Sequence, residues 1–428
     1  MTNSDFSNPT QFKVDTFEID GIDVVGLFMT LSIYENIFSP VITGNITIFD
    51  TDGSGFVEDN EIEFLEEFKF SFKNSKEETI EFEGVLNGLT NKMIKDSKKI
   101  YNVDFTSKSV RQNESKFITK AYKSKKPEEI VREMITSVKG QEDKIDGTGL
   151  PMTFSAARKR PTEVIKYVLT HGVTSGQDSP STQEQEGSQE GETKGTTGFL
   201  CWETLDGYRF ADVQSLRKGE SGGTDVGEFR YQLQNKNLSM DEVMKGVIDY
   251  DFKRIGDFQS KLRSGAFKNT VITFDVDKGE YVEFEYKDDK NMSEKQKKAL
   301  EDAGDTPTRV MTRMFSNERF ENSCEKAQKE KWDQSKQFLA QNQVSQNTFD
   351  DQCGTFTLPP QLTVRAGDSM KIRIPKVESE KGQGIDEKHS GKYIIRQVGH
   401  HFFADGRAYT KLTTIRSTVQ QDDKTSES

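Results

Sequence analysis

The sequence predicts an α+β protein that is mainly β, with two antiparallel β-barrel or β-sandwich domains and smaller α/β domains. Apolar and polar residues alternate with a period of two through most of the first hundred residues. The same alternation resumes at residue 199 and returns near the end of the chain, up to residue 415. Helical periodicity is confined to segments between these stretches, so the second β domain is predicted to be split by an insertion.

Length and charge limit the possible functions. A chain of 428 residues with 32% hydrophobic residues is too long for one ordinary core and predicts about two to four domains. The formal net charge of −12 argues against a surface that coats nucleic acid, because such a surface needs Lys and Arg to replace counterions. The acidity indicates either simple solubility or a surface that repels a polyanion moving past it.

The first hundred residues predict a meander of strands. Glu66 falls on the apolar face of the strongest alternation, which indicates a strand end, an edge or a partner contact. A small closed barrel or sandwich would protect such strands from edge-to-edge pairing. The apolar positions of the meander are Ile46, Ile48, Ile62, Phe64, Phe68, Phe70, Phe72, Ile80, Phe82, Tyr101, Val103 and Phe105.

Two short amphipathic helices are predicted after residue 111, and they indicate a small α/β domain. Pro127 and Pro161 each stand at a first helical position, acidic residues follow, and Gly140 and Gly172 end the two segments. Residues 174–198 contain no aliphatic or aromatic residue. This acidic stretch is expected to be a flexible linker or an exposed loop, because it cannot bury apolar area.

A hairpin over residues 199–210 marks the return of β character. A helix is predicted over 236–250, with Ser239 as its N-cap. The remaining predicted elements are a hairpin over 271–286, a polar helix over 314–343 that lacks Pro and Gly, strands at 370–374, 393–398 and 409–415, and a polar segment at 419–428.

One motif resembles a calcium site. Residues 50–61 fit a twelve-residue EF-hand loop, with oxygen ligands from Asp50 onward, Gly55 at the sixth position and Glu61 at the twelfth. An EF-hand needs a helix on each side, whereas strand patterns flank this loop. An ordinary connection between strands is therefore predicted, and a calcium site without helices is the alternative.

No other constellation selects a site, so the sequence predicts no catalytic, cofactor-binding or metal residues, no cofactor and no enzyme. His400 and His401 are adjacent and would face opposite ways on a strand. His171 precedes a helix-ending Gly and is interpreted as a cap contact. Trp202 is interpreted as a core or interface residue rather than a binding aromatic. The many Asp and Glu residues leave a carboxylate pair for glycoside hydrolysis open.

The expected compartment is a reducing cytoplasm. The first ten residues are polar and predict no secretory signal, and the longest apolar run, at 24–29, is far too short to span a bilayer. The three cysteines, Cys201, Cys324 and Cys353, are widely spaced and form neither a disulfide framework nor a zinc signature.

Four stretches, taken in order, carry a family resemblance. They are residues 44–50 with 59–64, residues 199–203 with 206–210, the polar segment 314–343 leading to 365–372, and residues 391–400 followed by 409–415. Their arrangement covers most of the chain and resembles the central baseplate hub protein of T-even-type contractile-tailed phages. The stretch 174–198 looks like an insertion relative to that family.

The resemblance implies a homotrimer in which each subunit supplies two domains similar to the tail-tube protein. Six such domains would form a pseudo-hexameric ring that adapts the hexameric tail tube to the trimeric central spike and leaves a channel for tape-measure protein and DNA. It implies a first tube-like domain at 1–110, a small α/β domain at 111–195, a split second tube-like domain at 196–235 and 355–418, and an inserted α/β domain at 236–354.

The implied location is the baseplate of the virion tail, after assembly in the host cytoplasm and without a membrane span. Further implied partners are tube or tube-initiator proteins and baseplate wedge proteins, and DNA would pass without specific binding. An acidic channel lining is expected from the net charge of −12. The alternatives are a calcium-binding or adhesive β protein based on residues 50–61, and a tail-associated cell-wall hydrolase, for which no catalytic constellation is visible.

Overall fold

The protein is mainly β with a few short helices, which confirms the predicted fold class. The structure is a computed structural model. It describes residues 6, 8–50, 55–95, 98–147, 149–172, 198–231, 238–253, 268–275, 279–287, 310–315, 353–376 and 389–416, with isolated positions between these ranges.

The described residues up to 115 build a first β barrel. An antiparallel sheet runs in the order β3-β4-β7-β6-β5-β1, and β2 extends β1. The elements are β1 (Phe12–Ile19), β2 (Ile22–Asp23), β3 (Phe28–Asn36), β4 (Thr43–Asp50), α1 (Phe56–Asp59), β5 (Glu67–Asn74), β6 (Thr79–Lys95), β7 (Lys98–Ser107) and α2 (Ser109–Ser115).

Phenylalanine rings fill this barrel, as the alternation predicts. Phe17, Phe70 and Phe72 are completely buried, and the Phe70 and Phe72 ring centroids lie 4.9 Å apart. Fully burying each such side chain contributes roughly 1.5–3 kcal/mol. The aromatic face of the predicted meander therefore supplies most of the first core.

The strand predicted from Ile62 begins later, at Glu67. Phe64 has a left-handed φ of 63°, outside the extended region of regular strands, although its side chain still enters the core. The Glu66 carboxylate accepts hydrogen bonds from the backbone N–H groups of Glu63 at 2.7 Å and Leu65 at 2.9 Å. The prediction that Ile62 and Phe64 point into the core is thus correct, but their backbone forms a hydrogen-bonded turn and not a strand.

A small α/β unit follows. Both helices lie where proline and glycine place them, and their apolar faces pack on the aromatic side of two small sheets, β8-β10 and β9-β12-β11. The elements are β8 (Ile118–Lys125), α3 (Pro127–Ser137), β9 (Glu142–Ile145), β10 (Met152–Lys159), α4 (Pro161–His171), β11 (Phe199–Thr204) and β12 (Gly207–Asp212).

None of the described helices has the length and apolar composition that a membrane crossing requires.

The rest of the described chain contains a second barrel and a separate three-stranded sheet, β17-β16-β18. The elements are α5 (Val213–Lys218), β13 (Asp225–Tyr231), α6 (Met240–Met244), β14 (Gly246–Val247), β15 (Asp249–Lys253), β16 (Lys268–Asp275), β17 (Glu280–Lys287), β18 (Val310–Phe315), β19 (Cys353–Leu358), β20 (Ser369–Arg373), β21 (Gly391–Phe403) and β22 (Ala408–Ile415).

The second barrel closes through the segment 246–253. Its sheet runs β13-β20-β21-β22-β19. The two ends are joined because β14 pairs with β13 and the adjoining β15 pairs with β19. Each barrel is therefore built from six strand positions, and the second is assembled from segments on both sides of the β16–β18 sheet.

Two sequence predictions in this region are wrong in part. The helix predicted over 236–250 is capped by Ser239 as expected but ends at Met244, because the next residues pair with β13 and β19. The hairpin predicted over 271–286 is present as β16 and β17. The polar helix predicted over 314–343 begins instead with two residues of β18, and residues 316–343 lie outside the described part of the chain.

The hairpin predicted over 199–210 is also present as β11 and β12, and β12 pairs with β9 of the α/β unit. The proposed boundary at residue 196 is therefore crossed by hydrogen bonds from the α/β unit.

Candidate functional site

The two barrels meet along one continuous sheet. Strand β21 pairs with β20 through its first residues and with β3 from Gln397 to Phe403. The turn after β21 then reaches β1, where the Phe12 N–H donates to the Gly406 carbonyl at 3.1 Å. Phe402 and Ala408 lie in the first core. The C-terminal hairpin therefore belongs to one barrel at its base and completes the other at its tip.

A buried carboxylate on β3 crosses this seam. The Glu35 carboxylate accepts hydrogen bonds from the backbone N–H groups of Leu205 at 2.9 Å and Ala366 at 2.8 Å. The Arg365 guanidinium lies 3.8 Å away. Burial raises the pKa of Glu35, while Arg365 and the two N–H donors act in the opposite direction. Glu35 thus ties the first barrel to the hairpin turn and to the second barrel.

Arg209 forms a second buried link. Its guanidinium donates to Asp368 at 2.9 Å and to the Ala366 carbonyl at 3.1 Å, and it also contacts Asp143. Asp368 in turn accepts from the Arg365 N–H at 2.9 Å. Since Arg209 and Asp368 are almost completely buried, either one alone would be a costly unpaired charge.

Glu203 forms a third link, toward the loops of the first barrel. Its carboxylate accepts from the Ser107 hydroxyl at 2.5 Å, the Ile42 N–H at 3.1 Å and the Ser109 hydroxyl at 3.5 Å. Burial raises the pKa of Glu203 to about 7, against the effect of these donors. The Tyr208 hydroxyl donates to Ser109 at 3.0 Å and completes the cluster.

The β11–β12 hairpin that carries Glu203 and Arg209 is buried on both faces. Phe199 and Phe210 pack with the helices α3 and α4, whereas Trp202 packs in the second core. The Trp202 indole donates to the Ala366 carbonyl at 2.9 Å. Gly367 has a φ of 93°, and an added Cβ would lie 2.5 Å from the Trp202 ring. The β11–β12 hairpin therefore packs closely against the α/β unit, the second barrel and the loops of the first barrel.

We call the set Glu35, Glu203, Arg209, Arg365 and Asp368 the buried junction. Its charged groups hydrogen-bond or ion-pair with one another and with backbone groups of different units. The arrangement suits holding domains in a fixed orientation. Within the described residues, no group of three or more His, Cys, Asp or Glu side chains is placed to hold a metal ion.

The EF-hand-like loop joins two strands, as predicted. Strand β4 ends at Asp50, α1 covers residues 56–59, and β5 begins at Glu67. Residues 51–54 lie outside the described part of the chain. The helix α1 is a single turn inside the loop, so the paired flanking helices of an EF-hand are absent here.

The adjacent histidines face opposite sides of β21, as expected. His400 is buried, with Nδ1 3.1 Å from the Thr410 hydroxyl, and burial lowers its pKa well below the ordinary range. His401 lies on the other face, with Nδ1 2.9 Å from the Ser32 hydroxyl. His171 contacts the Tyr167 carbonyl at 3.0 Å in the last turn of α4. Each of the three has a local structural partner.

Sequence reasoning did not single out the buried junction. Two signals could have found part of it. Glu35 occupies the inward position of the series Leu31, Ile33, Glu35, and Glu203 follows the apolar run 199–202 directly. A charge inside a strongly apolar strand pattern indicates a buried partner, because an unpaired one would be too costly.

Comparisons with known proteins support the fold. No protein-family model and no curated protein sequence matches the chain. Among solved structures, the tail protein from Neisseria meningitidis MC58 aligns with a TM-score of 0.55 at 8% identity, covering 95% of this chain and 97% of that one. The prophage MuSo2 43 kDa tail protein from Shewanella oneidensis aligns with a TM-score of 0.52 at 8% identity, covering 94% and 98%. The shared fold extends over nearly the full length, and at this identity the likeness establishes the fold alone.

Proposed function

We propose that the chain is a non-enzymatic structural subunit of a contractile phage tail, acting as the baseplate hub. One observation carries the proposal. The chain contains two six-stranded barrels joined side by side through β3 and β21, within a fold shared over nearly its full length with two tail proteins. Three copies would supply six barrels, the number needed to adapt a hexameric tube to a trimeric spike.

The buried junction supports this role. A ring adaptor must keep its two barrels at a fixed relative angle, so that six barrels from three chains form one even ring. Glu35 and Glu203 hold parts of the chain separated by more than 160 positions through backbone N–H groups. Such links resist rotation of one barrel against the other, because rotation would leave buried charges unpaired.

The outward face of the shared sheet is our candidate for the channel wall. Among the described strands, this sheet runs without a break from one barrel into the other, so it is the surface that a ring could continue. Hydroxyl and amide groups lie along it, with Thr47 bonded to both Thr30 and Asn102 at 3.0 Å and Ser32 to His401 at 2.9 Å. Asp104 on β7 lies on the same face, where its carboxylate accepts from the Thr90 hydroxyl at 2.6 Å. A wall of mainly uncharged polar groups would let tape-measure protein and DNA pass without tight binding. The acidic lining expected from the net charge stays a prediction that a structure of the assembled ring would test.

The proposed partners are two further copies, the central spike, tube or tube-initiator proteins, tape-measure protein and wedge proteins of the virion baseplate. Native mass spectrometry of the chain, alone and coexpressed with its spike, tests the subunit number. Three copies per complex are expected. A chain that stays monomeric with the spike present would refute the proposal, and digestion of peptidoglycan by the purified chain would refute its non-enzymatic part.

A further inference from the structure

A strongly basic surface stands out on this acidic chain. Strands β8 and β10 pair as a two-stranded ribbon. Together with the residues that flank them, segments 116–126 and 151–160 contain eight basic residues and no acidic one. We call this surface the basic ribbon. Its cations are Lys116, Lys120, Lys123, Lys125, Lys126, Arg158, Lys159 and Arg160.

Five of these eight cations have no acidic partner among the described residues. Lys120, Lys125 and Arg160 form ion pairs with neighbouring glutamates, and Lys116 contacts a carbonyl. The four that remain are exposed and have no acidic group within ion-pair distance among the described residues: Lys123, Lys126, Arg158 and Lys159.

The ribbon is built to present an outer face. Its inner face is fixed by Tyr122 and Phe154, which are buried and stack with ring centroids 5.0 Å apart against the helices. Phe117 at its end is 53% exposed, and the Arg158 guanidinium lies 5.1 Å from the centre of its ring. Exposed cations around one exposed aromatic ring form a surface that suits an acidic partner with an apolar contact of its own.

The first barrel carries a surface of the opposite kind. Residues 58–67, from the end of α1 to the start of β5, contain six acidic residues and no basic one, and Leu65 among them is 54% exposed. We call this the acidic lip. Glu58 and Glu67 pair with lysines of β7 and its following turn, and Glu66 holds the backbone of the lip. The acids that remain are exposed and have no cationic partner among the described residues: Asp59, Glu61 and Glu63.

We propose that the basic ribbon of one copy receives the acidic lip of a second copy, an inference that rests on the proposed homotrimeric hub. The two surfaces are complementary in charge and in their exposed apolar residues, Phe117 and Leu65. No hydrogen bond or ion pair between described residues joins the lip to the ribbon within one chain. Because the contact uses two different surfaces, it is heterologous, and repeated contacts of this kind close into a ring when the rotation allows.

Charge reversal in the full-length chain tests the contact. Lys123→Glu with Lys126→Glu reverses the ribbon, Glu61→Lys with Glu63→Lys reverses the lip, and a fourfold variant combines both. Sedimentation velocity over a range of concentrations measures self-association at low and at 0.5 M salt (roughly a 4 Å Debye length at the higher value). Circular dichroism and melting confirm that each variant, changed only at exposed positions, is folded.

Each twofold reversal is expected to weaken self-association at least about tenfold, because like charges then face each other. The fourfold variant is expected to recover association, since the complementarity is restored with the signs exchanged. The matched control reverses two exposed lysines outside the ribbon, Lys166→Glu and Lys245→Glu, and should leave association unchanged.

Other outcomes separate this contact from the hub proposal. A wild-type trimer that is insensitive to both reversals, or a fourfold variant that stays dissociated, overturns the contact and leaves the hub intact. A wild-type chain that is monomeric with and without its spike overturns the hub itself. Retention of short duplex DNA by the wild type but not by the ribbon variant, with association unchanged, would overturn the proposal in favour of a nucleic-acid site.

Discussion

Replacing Glu203 by Gln should remove a specific part of the pH dependence of stability. In the folded protein the Glu203 carboxyl is buried among the Ser107 and Ser109 hydroxyls and the Ile42 N–H, and burial raises its pKa to about 7. In the unfolded chain the carboxyl returns to its ordinary pKa of 4.5. The folded state therefore retains a proton that the unfolded state loses between these values.

The sign and size follow from this difference. Below pH 4.5 both states are protonated, and the group contributes its full stability. As pH rises to about 7 the unfolded state gains charge freely while the folded state does not, so the free energy of unfolding falls by about 3 kcal/mol. Above pH 7 both states are ionised, and the free energy of unfolding falls no further on account of this group. The variant Glu203→Gln carries no titrating proton and should not show this loss.

Guanidinium unfolding from pH 4.5 to 8, followed by tryptophan fluorescence, measures the effect, because Trp202 lies on the same strand as Glu203. His400 also has a shifted pKa, but it is common to both proteins and cancels in the difference. The unfolding free energy of the variant minus that of the wild type should rise by about 3 kcal/mol across this range. The control Glu81→Gln, at an exposed position, should give a flat difference. A flat difference for Glu203→Gln would refute the assigned environment.

Three further predictions concern the junction, the shared hairpin and the loop. Asp368→Asn should cost about 3–5 kcal/mol of unfolding free energy, because it removes the more deeply buried of the two carboxylates that pair with Arg209, Asp143 being the other. Arg230→Gln in an exposed pair should cost under about 1 kcal/mol, and equal costs would contradict the burial argument. Phe402→Ala should cost about 3–5 kcal/mol in denaturant unfolding, whereas a loss below about 1 kcal/mol would show that the hairpin tip does not complete the first core. Calcium at millimolar concentration should leave the melting temperature unchanged if residues 50–61 only connect strands, and a rise reversed by a chelator would establish a site.

The sequence predicts the local part of the fold well. Phe68, Phe70 and Phe72 alternate with charged residues, and they form β5 with the predicted face inward. Pro127 and Pro161 mark two helices within the predicted limits. These features depend on neighbouring residues only, so periodicity and helix-end chemistry are enough to find them.

The errors arise where distant segments decide the local structure. Val247 and Ile248 suit the inner face of a helix after Ser239, yet residues 246–253 form the strand that closes the second barrel. Phe64 keeps the inward period of a strand while its backbone makes a turn. In both cases tertiary packing overrides a weak local preference.

The contacts of the buried junction could not be predicted from sequence periodicity, for the same reason. Glu35 meets Ala366 and Glu203 meets Ile42 across more than 160 positions of sequence. No local period encodes such pairs. Each charge is unusual within an apolar strand pattern and can be noticed in the sequence. Its hydrogen-bond partner is known only from the contact between the barrels in the structure.

Electron microscopy of the chain coexpressed with its central spike tests the hub proposal most directly. The account predicts three copies around one axis, six barrels in an even ring, and the outward face of the β21-β3-β4-β7 sheet turned toward the channel. A monomer on the spike, or a complex whose barrels do not form a ring of six, would contradict it.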